Sequence, residues 1–253
     1  MEQKVGVLCF CLNEIEALRI IAPKLQKLLS EQKWKYELIF IDGNSEDGTY
    51  EFLTNRALNV VQQRGPGIPQ ALIDGFNAAK NLNCSHIVQF QPDGNCDPQK
   101  LPELISALLN DGNDIVIGSR YLASRKSIDD TLTTAFGNTV FTWIYRIKFP
   151  NKKLTDVLVG FKGYRIGLVD ELDLLDNQEY KWLERLLKVT FSYDTVLLLR
   201  GIRSDSIICE IDAQECPRIG GLPKRRTFRW GFVFLCQLLF DNQLRARAGK
   251  VGF

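Results

Sequence analysis

The sequence has 253 residues, 45% of them hydrophobic and 25% charged, and its formal net charge is +2. This length suits one α/β domain with a single core, and the near-neutral charge disfavours nucleic acid as a partner. The seven cysteines form no CxxC pair and there is one histidine, so neither a zinc site nor a disulfide framework is expected. Free thiols and an amino terminus without a signal-peptide pattern indicate a cytoplasmic protein.

Over the first 120 residues, apolar strand-like runs alternate with segments whose apolar residues recur at helical spacing. The predicted strands are Lys4–Leu12, Tyr36–Ile41, Asn59–Gln62, Ile87–Gln91 and Asp114–Gly118. The predicted helices are Glu14–Leu29, Tyr50–Asn55, one that opens after Arg64-Gly65-Pro66-Gly67 and one that opens after Asp97-Pro98. This alternation predicts an α/β fold with a doubly wound, mainly parallel sheet and helices on both faces.

After Arg120 the pattern changes. We predict helices over Thr131–Lys148, Asn177–Val189, Tyr193–Arg203 and Phe228–Leu239. Between them, Asp156–Arg165 alternates like a strand or a strand with a bend, and Ile207–Ile211 is predicted as a short strand. The chain shows no internal repeat, and we expect one domain over residues 1–253.

The stretch Ile87–Pro98 combines a buried strand, a turn and a helix start. The strand gives way to Pro92-Asp93-Gly94-Asn95, which is turn chemistry, and Asp97-Pro98 supplies an N-cap and a proline for the first helical turn. An acidic residue at the carboxyl end of a strand lies where open α/β sheets bind ligands. A hard cation carried by phosphates needs such an oxygen ligand. The alternative to a cation site is an ordinary strand–turn–helix connection in which Asp93 is solvated and binds no ligand.

Polar residues also follow the other strands, and in a parallel sheet these ends share one edge. The residues gathered there are Asn13, Glu14, Asp42, Arg64, Asp93 and Arg120. Acids after the second and fourth strands, with arginines after the third and fifth, suit a phosphate–metal pair. No GxGxxG follows the first strand and no GxxxxGK[ST] occurs, so a Rossmann dinucleotide site is disfavoured and a P-loop is excluded.

Seven ordered blocks resemble the family 2 glycosyltransferases of the GT-A fold. This group contains dolichol-phosphate mannosyltransferase and related bacterial enzymes that use polyprenyl phosphates or build polysaccharides. The blocks are LNE (12–14), IDGNSEDGT (41–49), RGPGIPQAL (64–72), QPDGNCDP (91–98), IGSRY (117–121), TDVLVGFKGYR (155–165) and PRIGGLPK (217–224). Each block alone is weak, but their order and spacing together are specific. The resemblance covers nearly the whole chain.

The resemblance implies a nucleotide-sugar donor site in residues 1–120. Glu14 and Asp42 would hold the base and ribose, and Arg64 with its glycine-rich turn would approach the diphosphate. The full implied donor set is Asn13, Glu14, Asp42, Ser45, Arg64, Gly67, Gln91, Pro92 and Asp93. Asp93, with help from Asn95, would bind Mg²⁺ or Mn²⁺ bridging the phosphates. Gln91 stands where the family's DxD element usually begins with aspartate, so we expect metal dependence with weaker affinity or a different sugar preference.

The same resemblance implies an acceptor site in residues 121–253, together with Arg120. Catalytic carboxylates would be Asp156, Asp93 and, more weakly, Asp194, while a loop cap or a solvated helix face is the alternative for Asp156 and Asp194. Arg120, Arg218, Lys224 and Arg225 are the candidate acceptor-binding residues, the last three because they belong to a basic cluster that could bind the acceptor phosphate. The cluster that contains Arg218, Lys224 and Arg225 precedes the aromatic-rich predicted helix Phe228–Leu239, and this combination is typical of an interfacial anchor. The alternative is a solvated basic loop, which is the usual interpretation of a charge run.

The predicted activity is inverting, metal-dependent transfer of a sugar to a polyprenyl phosphate or to a saccharide or lipid-linked acceptor in cell-envelope glycan biosynthesis. We also expect peripheral contact with the inner face of the membrane, or a homodimer. Two other functions stay open: a degenerate sugar-nucleotide-binding protein, indicated by Gln91, and a sugar nucleotidyltransferase. The second usually has a glycine-rich basic loop after the first strand, where this chain has LNEIEAL.

Overall fold

The computed structural model describes residues 3–123, 132–150, 153–175, 181–188, 193–220, 231–239 and 241. Within them, seven strands form one sheet in the order β3-β2-β1-β4-β6-β5-β7. The strands are β1 (Lys4–Cys11), β2 (Lys35–Asp42), β3 (Asn59–Gln62), β4 (His86–Phe90), β5 (Ile115–Ser119), β6 (Lys162–Arg165) and β7 (Ile208–Asp212). All neighbours are parallel except β6, which is antiparallel to both β4 and β5.

The helices of the described residues cover both faces of the sheet. They are α1 (Ile15–Ser30), α2 (Thr49–Thr54), α3 (Ile68–Asn81), α4 (Leu101–Asn110), α5 (Leu132–Lys148), α6 (Leu168–Glu171), α7 (Lys181–Leu187), α8 (Tyr193–Arg203) and α9 (residues 231–239). On one face, Gly75 of α3 lies against Leu8 and Gly201 of α8 against Ile115. On the other face, Gly163 of β6 lies against Leu104 of α4.

Burial explains the near-continuous apolar strands. Every residue of β4 and β5 is buried, as expected for strands covered on both faces. Two glycines allow this close packing: a Cβ added at Gly118 would lie 2.3 Å from the Phe161 ring, and one at Gly163 would lie 2.6 Å from Leu104 Cδ2. The apolar core is therefore continuous from β1 to β7.

The predicted α/β sheet is confirmed, and the strand predictions of the first half agree with the structure to within one residue at each end. The second half contains one helix that was not predicted, α6, and its strand-like stretch is shorter than expected. Only Lys162–Arg165 of the predicted strand-like stretch 156–165 enters the sheet, because residues 156–161 form an irregular segment around the buried Asp156. The predicted helix starts at Thr131, Asn177 and Phe228 lie outside the described residues.

The Asp97 cap is present as predicted. Its Oδ1 accepts a hydrogen bond of 3.0 Å from the Gln99 N–H. A short 3-10 helix, Pro98–Lys100, forms first and leads directly into α4. The carboxylate therefore satisfies one of the free N–H groups at this helix start, and the preceding turn, Pro92–Asn95, is fixed between β4 and a capped helix.

Candidate active site

The ends of β1, β2 and β4 bring three carboxylates together. Cys11, the last residue of β1, lies opposite Asp42, the last residue of β2. Burial raises the pKa of the Cys11 thiol well above its ordinary value, and the nearby Cys9, Asp42, Glu14 and Asp93 raise it further. Asp42, Glu14 and Asp93 therefore all lie close enough to one buried thiol to raise its pKa, which agrees with their expected place at one edge of the sheet.

Asp42 is fully buried, but only one of its two carboxylate oxygens has hydrogen-bond donors in the described protein. Its Oδ2 accepts hydrogen bonds of 3.1 Å from the N–H groups of Asn44 and Ser45. Its Oδ1 is buried with no hydrogen-bond partner in the described protein. A buried carboxylate oxygen without a donor is costly, so this atom is suited to a hydroxyl or N–H donor from a ligand.

Asn13 and Ser45 connect the loops that follow β1 and β2. The Asn13 N–H donates to Ser45 Oγ at 2.9 Å, and Asn13 Oδ1 accepts from the Glu46 N–H at 2.8 Å. The Glu14 N–H donates to Thr49 Oγ1 at 3.1 Å, which adds a third link between the same loops. The geometry gives Asn13 and Ser45 a bracing role beside Glu14 and Asp42.

Asp93 is buried and paired with a basic residue from far along the chain. Its Oδ1 accepts from the Asn95 N–H at 3.0 Å, and its Oδ2 lies 2.8 Å from an Arg218 guanidinium nitrogen. The same nitrogen lies 3.4 Å from Glu14 Oε1. Arg218, predicted from the sequence to bind the acceptor, thus contacts the carboxylates assigned to the donor.

The segment that carries Arg218 crosses over the Asp93 turn. The Cys216 N–H donates to the Asn95 carbonyl and the Ile219 N–H to the Asp93 carbonyl, each at 2.8 Å. Gly94 between them has a φ of +94°, and a Cβ there would lie 2.7 Å from Ile219 Cγ1. Only glycine suits both the positive φ and this close approach.

A divalent cation fits this part of the site. Asp93 Oδ2 already holds one cationic group, the Arg218 guanidinium, at 2.8 Å. The described residues contain no cluster of three or more His, Cys, Asp or Glu side chains that could hold a metal unaided. Proteins usually bind Mg²⁺ through one or two carboxylates together with substrate phosphates and water. Asp93 contributes a carboxylate to this corner, and Gln91 and Asn95 contribute side-chain amides.

Gln91 and Pro92 lie between β4 and Asp93. Pro92 is buried and Gln91 is half-buried. A Cβ at Gly160 would lie 2.6 Å from Gln91 Nε2, so the Gln91 amide packs directly on the irregular segment that follows Asp156. Gln91 therefore contacts the second half of the chain from its position beside the Asp93 turn.

Arg64 is held at the start of the glycine-rich turn by a buried acid. Its backbone N–H and its Nε donate to Asp74 of α3 at 2.9 and 2.6 Å, while its side chain is 66% exposed. Burial opposes ionisation of Asp74, but hydrogen bonds from Arg64 and Gln70 outweigh it, so the pKa of Asp74 lies below its ordinary value. Gly67, with a φ of +91°, accepts from Gln63 Nε2 at 2.7 Å and begins α3.

Arg120 and Asp156 form a buried, two-point ion pair. Arg120 Nε and Nη2 donate to the two Asp156 oxygens at 2.6 and 3.0 Å, and Asp156 is fully buried. Glu215 lies 3.5 Å from Arg120 Nη1. Burial opposes the charge of Arg120, but Asp156 outweighs it and keeps the pKa of the guanidinium above its ordinary value. Sequence reasoning placed both residues at the site but not in this pair.

Asp194 occupies a different environment. It lies in the first turn of α8, and its Oδ1 is 4.0 Å from Nζ of the fully buried Lys162 in β6. Lys162 pairs with Gln89 in the sheet, below the strand ends. The Asp194 contact given by the structure is therefore with a core lysine on the α8 face. Lys224 and Arg225 lie outside the described residues.

Two further acids near Arg120 were not predicted. Glu215 follows β7, and Glu210 lies within it and accepts hydrogen bonds from the Thr155 and Asp156 backbone. Glu210 interrupts the otherwise apolar stretch Ile207–Ile211, and such a charge in a predicted strand was the available signal.

Three comparisons with known proteins agree with this architecture. The profile described as Glycosyl transferase family 2 matches residues 8–173. An undecaprenyl-phosphate mannosyltransferase of Micrococcus luteus is 27% identical over 64% of this chain and 66% of its own. A dolichol-phosphate mannosyltransferase of Pyrococcus furiosus is 28% identical over 68% of this chain and 49% of its own. The chain thus spans about half to two thirds of the length of these relatives.

A solved structure extends the fold comparison to nearly the whole chain. Glucosyl-3-phosphoglycerate synthase of Mycobacterium tuberculosis, in complex with Mn²⁺, UDP and glucosyl-3-phosphoglycerate, superposes with a TM-score of 0.60. The alignment covers 98% of this chain and 80% of that protein at 16% identity, so it establishes the GT-A fold alone. Since the profile covers more than half of the sequence and includes the Asp42, Asp93 and Asp156 segments, the chain belongs to glycosyl transferase family 2.

Proposed function

We propose that this glycosyltransferase moves a sugar, with inversion, from a nucleotide-sugar donor to a polyprenyl-phosphate acceptor. The observation that carries the donor half is the buried Oδ1 of Asp42, which has no donor in the described protein. A ribose hydroxyl or base N–H would supply one. Glu14, Asp93 and Asp42 all lie near the buried Cys11 thiol. The base, the ribose and the diphosphate can therefore lie along one edge of the sheet.

The Asp42 assignment is testable with nucleotides alone. Asp42→Asn keeps an oxygen for the Asn44 and Ser45 N–H groups but presents an N–H₂ where the ligand donor should lie. We expect the Kd for UDP or GDP, whichever the wild type binds, to rise roughly 10–100-fold, as for a lost hydrogen bond to a charged group. Isothermal titration calorimetry measures it.

Asp47→Asn is the control for this experiment, since Asp47 braces the same loop by accepting from the Ile15 and Thr49 N–H groups at 3.0 Å. It should leave nucleotide affinity nearly unchanged. Equal affinity of wild type and Asp42→Asn for the bound nucleotide would remove Asp42 from the donor site.

A divalent cation, Mg²⁺ or Mn²⁺, belongs to this proposal. It would be held by Asp93 with the Asn95 amide, and when bound it would neutralise the charge of the departing nucleoside diphosphate. The solved structural neighbour contains Mn²⁺ and UDP by its description. Arg218, which contacts Asp93 Oδ2 in the free protein, is then free to bind a phosphate oxygen instead.

The acceptor half rests on the Arg120–Asp156 pair. Both Asp156 oxygens are engaged by Arg120, and the carboxylate is fully buried. Such a carboxylate is poorly placed to remove a proton from an incoming hydroxyl. An acceptor phosphate is already ionised and needs no base, and the remaining Arg120 N–H groups can bind it. Curated relatives named for undecaprenyl and dolichol phosphates support the same acceptor class.

We also propose that the acceptor is reached at a membrane surface. No helix in the described part of the chain has the length and apolar character to cross a bilayer. Helix α5 exposes Phe136, Trp143 and Ile147, which are 71%, 62% and 60% exposed and recur on one face. Arg146 and Lys148 lie in its last turn. An apolar stripe beside basic residues is typical of an interfacial helix.

Vesicle co-sedimentation tests this surface. Replacing Phe136 and Trp143 together with serine should weaken binding to phosphatidylglycerol vesicles roughly tenfold or more, given the apolar area each side chain would bury. Trp182→Ser on α7 removes a similarly exposed tryptophan, 53% exposed, and should change binding little. Wild-type protein that stays in the supernatant contradicts membrane contact. A dimer in sedimentation velocity that the double variant abolishes would instead assign the stripe to a second copy of the chain.

The family match separates this proposal from a sugar nucleotidyltransferase. A pure binding protein is distinguished by its products. Incubation with a nucleotide sugar, Mn²⁺ and a polyprenyl phosphate should release nucleoside diphosphate only if the protein is a transferase. A role in cell-envelope glycan synthesis follows if the acceptor is undecaprenyl phosphate.

A further inference from the structure

Glu210 is a second carboxylate near Arg120 that accepts several hydrogen bonds, and it has no role in the reaction proposed so far. Its two oxygens accept from the Thr155 N–H, both at 2.9 Å. Oε2 also accepts from Thr155 Oγ1 at 2.7 Å, and Oε1 accepts from the Asp156 N–H at 3.0 Å. The side chain of an edge strand thus holds an irregular segment that is more than fifty residues away in sequence.

Fold stability alone gives a poor reason for a carboxylate here. Burial raises the pKa of Glu210 above its ordinary value, and the charge of Asp156 raises it further, while the hydrogen bonds act in the opposite direction. The ionised side chain therefore lies in surroundings that on balance disfavour its charge. Replacing buried charges by well-packed neutral groups is often neutral or stabilising, so the geometry it imposes is the better explanation.

The hydrogen bonds of Glu210 act on the position of Arg120 in two ways. Through the Asp156 N–H, Glu210 fixes the residue whose carboxylate binds Arg120 Nε and Nη2. Through Thr155, it reaches the side chain of the residue before Arg120, because Thr155 Oγ1 lies 2.6 Å from Ser119 Oγ. Glu210 also pairs with Ile117 across β5 and β7, three residues before Arg120. The guanidinium is thus held through its carboxylate partner and through the strand end that carries it.

We propose that Glu210 is a positioning residue of the acceptor site: its hydrogen bonds to Thr155 and Asp156 set the direction of the Arg120 guanidinium, and hence the place of the acceptor phosphate. The last step rests on the function proposed above. Displacement of a binding group by about 1 Å can cost as much as 10²-fold in rate, so a group that fixes this direction controls acceptor use without touching the acceptor.

Two substitutions separate positioning from charge. Glu210→Gln can keep one hydrogen bond to each partner group: its carbonyl accepts from the Thr155 and Asp156 N–H groups, and its N–H₂ donates to Thr155 Oγ1, whose own proton turns to Ser119 Oγ. Only the second acceptor of the Thr155 N–H is lost. Glu210→Ala removes all of these hydrogen bonds. Glu37→Ala is the matched control, since Glu37 is a half-buried strand glutamate that binds Lys4 and Asn59 away from this site.

The first measurement needs no substrate. In ¹H–¹⁵N spectra the Arg120 Nε–H, assigned with Arg120→Lys, should be protected from exchange in the wild type, Glu210→Gln and Glu37→Ala. In Glu210→Ala its exchange should be at least about tenfold faster. Unchanged protection in Glu210→Ala overturns the proposal, as does equal loss of protection in Glu37→Ala.

The second measurement follows ligands. Glu210→Ala should raise the Kd for farnesyl phosphate roughly tenfold or more while the Kd for the nucleoside diphosphate stays unchanged, and Glu210→Gln should match the wild type within about threefold. Equal weakening of both ligands would mean general damage and contradicts positioning. If the spectra change as expected but the wild type does not bind farnesyl phosphate, Glu210 still positions Arg120 and the proposed acceptor is wrong.

Discussion

Replacing Asp93 with alanine should lower sugar transfer by roughly 10²–10³-fold or more. Asp93 is the carboxylate at the end of β4 that already binds a cationic group, the Arg218 guanidinium, at 2.8 Å. Charge neutralisation by a bound divalent cation contributes several kcal/mol to such a reaction, and each 1.36 kcal/mol is about tenfold in rate. Chelation by EDTA should inactivate the wild type to a similar extent, and added Mn²⁺ should restore it. Initial rates of nucleoside diphosphate release measure both effects.

Asp97→Ala is the matched control, because Asp97 lies four residues further along the same turn and caps the Gln99 N–H. It should cost about 1 kcal/mol of stability but leave the rate and the Mn²⁺ requirement unchanged. Binding of Mn²⁺ with nucleoside diphosphate, followed by electron paramagnetic resonance, provides a readout that does not depend on turnover. An Asp93→Ala protein with the wild-type rate, or one that binds Mn²⁺ as tightly as the wild type, would refute the metal assignment.

The sheet and the cluster of acids at the ends of β1, β2 and β4 were predictable because they depend on local pattern and on one rule of topology. Buried parallel strands are continuous apolar runs, and their carboxyl ends share one edge. Asn13 and Asp42 follow directly after such a run, and only Pro92 separates Asp93 from one, so the sequence places them together. The cap at Asp97 was equally local. These features need no knowledge of which distant segment packs against them.

The surroundings of Arg120 and Arg218 were less predictable because they are built by long-range contacts. No periodicity indicates that β6 enters antiparallel between β4 and β5, or that Glu210 of the last strand binds Thr155. Arg218 was assigned to the acceptor from its place in a basic run, whereas the backbone bonds of Cys216 and Ile219 bring it onto Asp93. Charge runs identify a basic segment but not the carboxylate that it meets.

The second large effect is expected from Asp156→Asn, for which positioning and general base catalysis give different results. The carboxylate is fully buried and binds Arg120 through both oxygens. An amide keeps one acceptor and turns an N–H₂ group toward a guanidinium that has only donors. We expect the KM for the polyprenyl phosphate to rise roughly 10–100-fold, with kcat lowered less, because Arg120 loses its direction. Loss of a general base would instead lower kcat by about 10²–10⁴-fold and abolish the acid limb of its pH profile.

Folding must be separated from function in this variant. Leaving Arg120 without its carboxylate costs roughly 3–5 kcal/mol. Domains are usually stable by about 5–15 kcal/mol, so a domain in the upper part of that range stays folded. Asp114→Asn is the matched control, because Asp114 binds Arg165 Nε at 2.6 Å at the opposite end of β5. It should lower the melting temperature with little change in KM or kcat. A kcat that falls with KM unchanged, together with a lost acid limb, would restore Asp156 as the base and point to a hydroxyl acceptor in place of a phosphate.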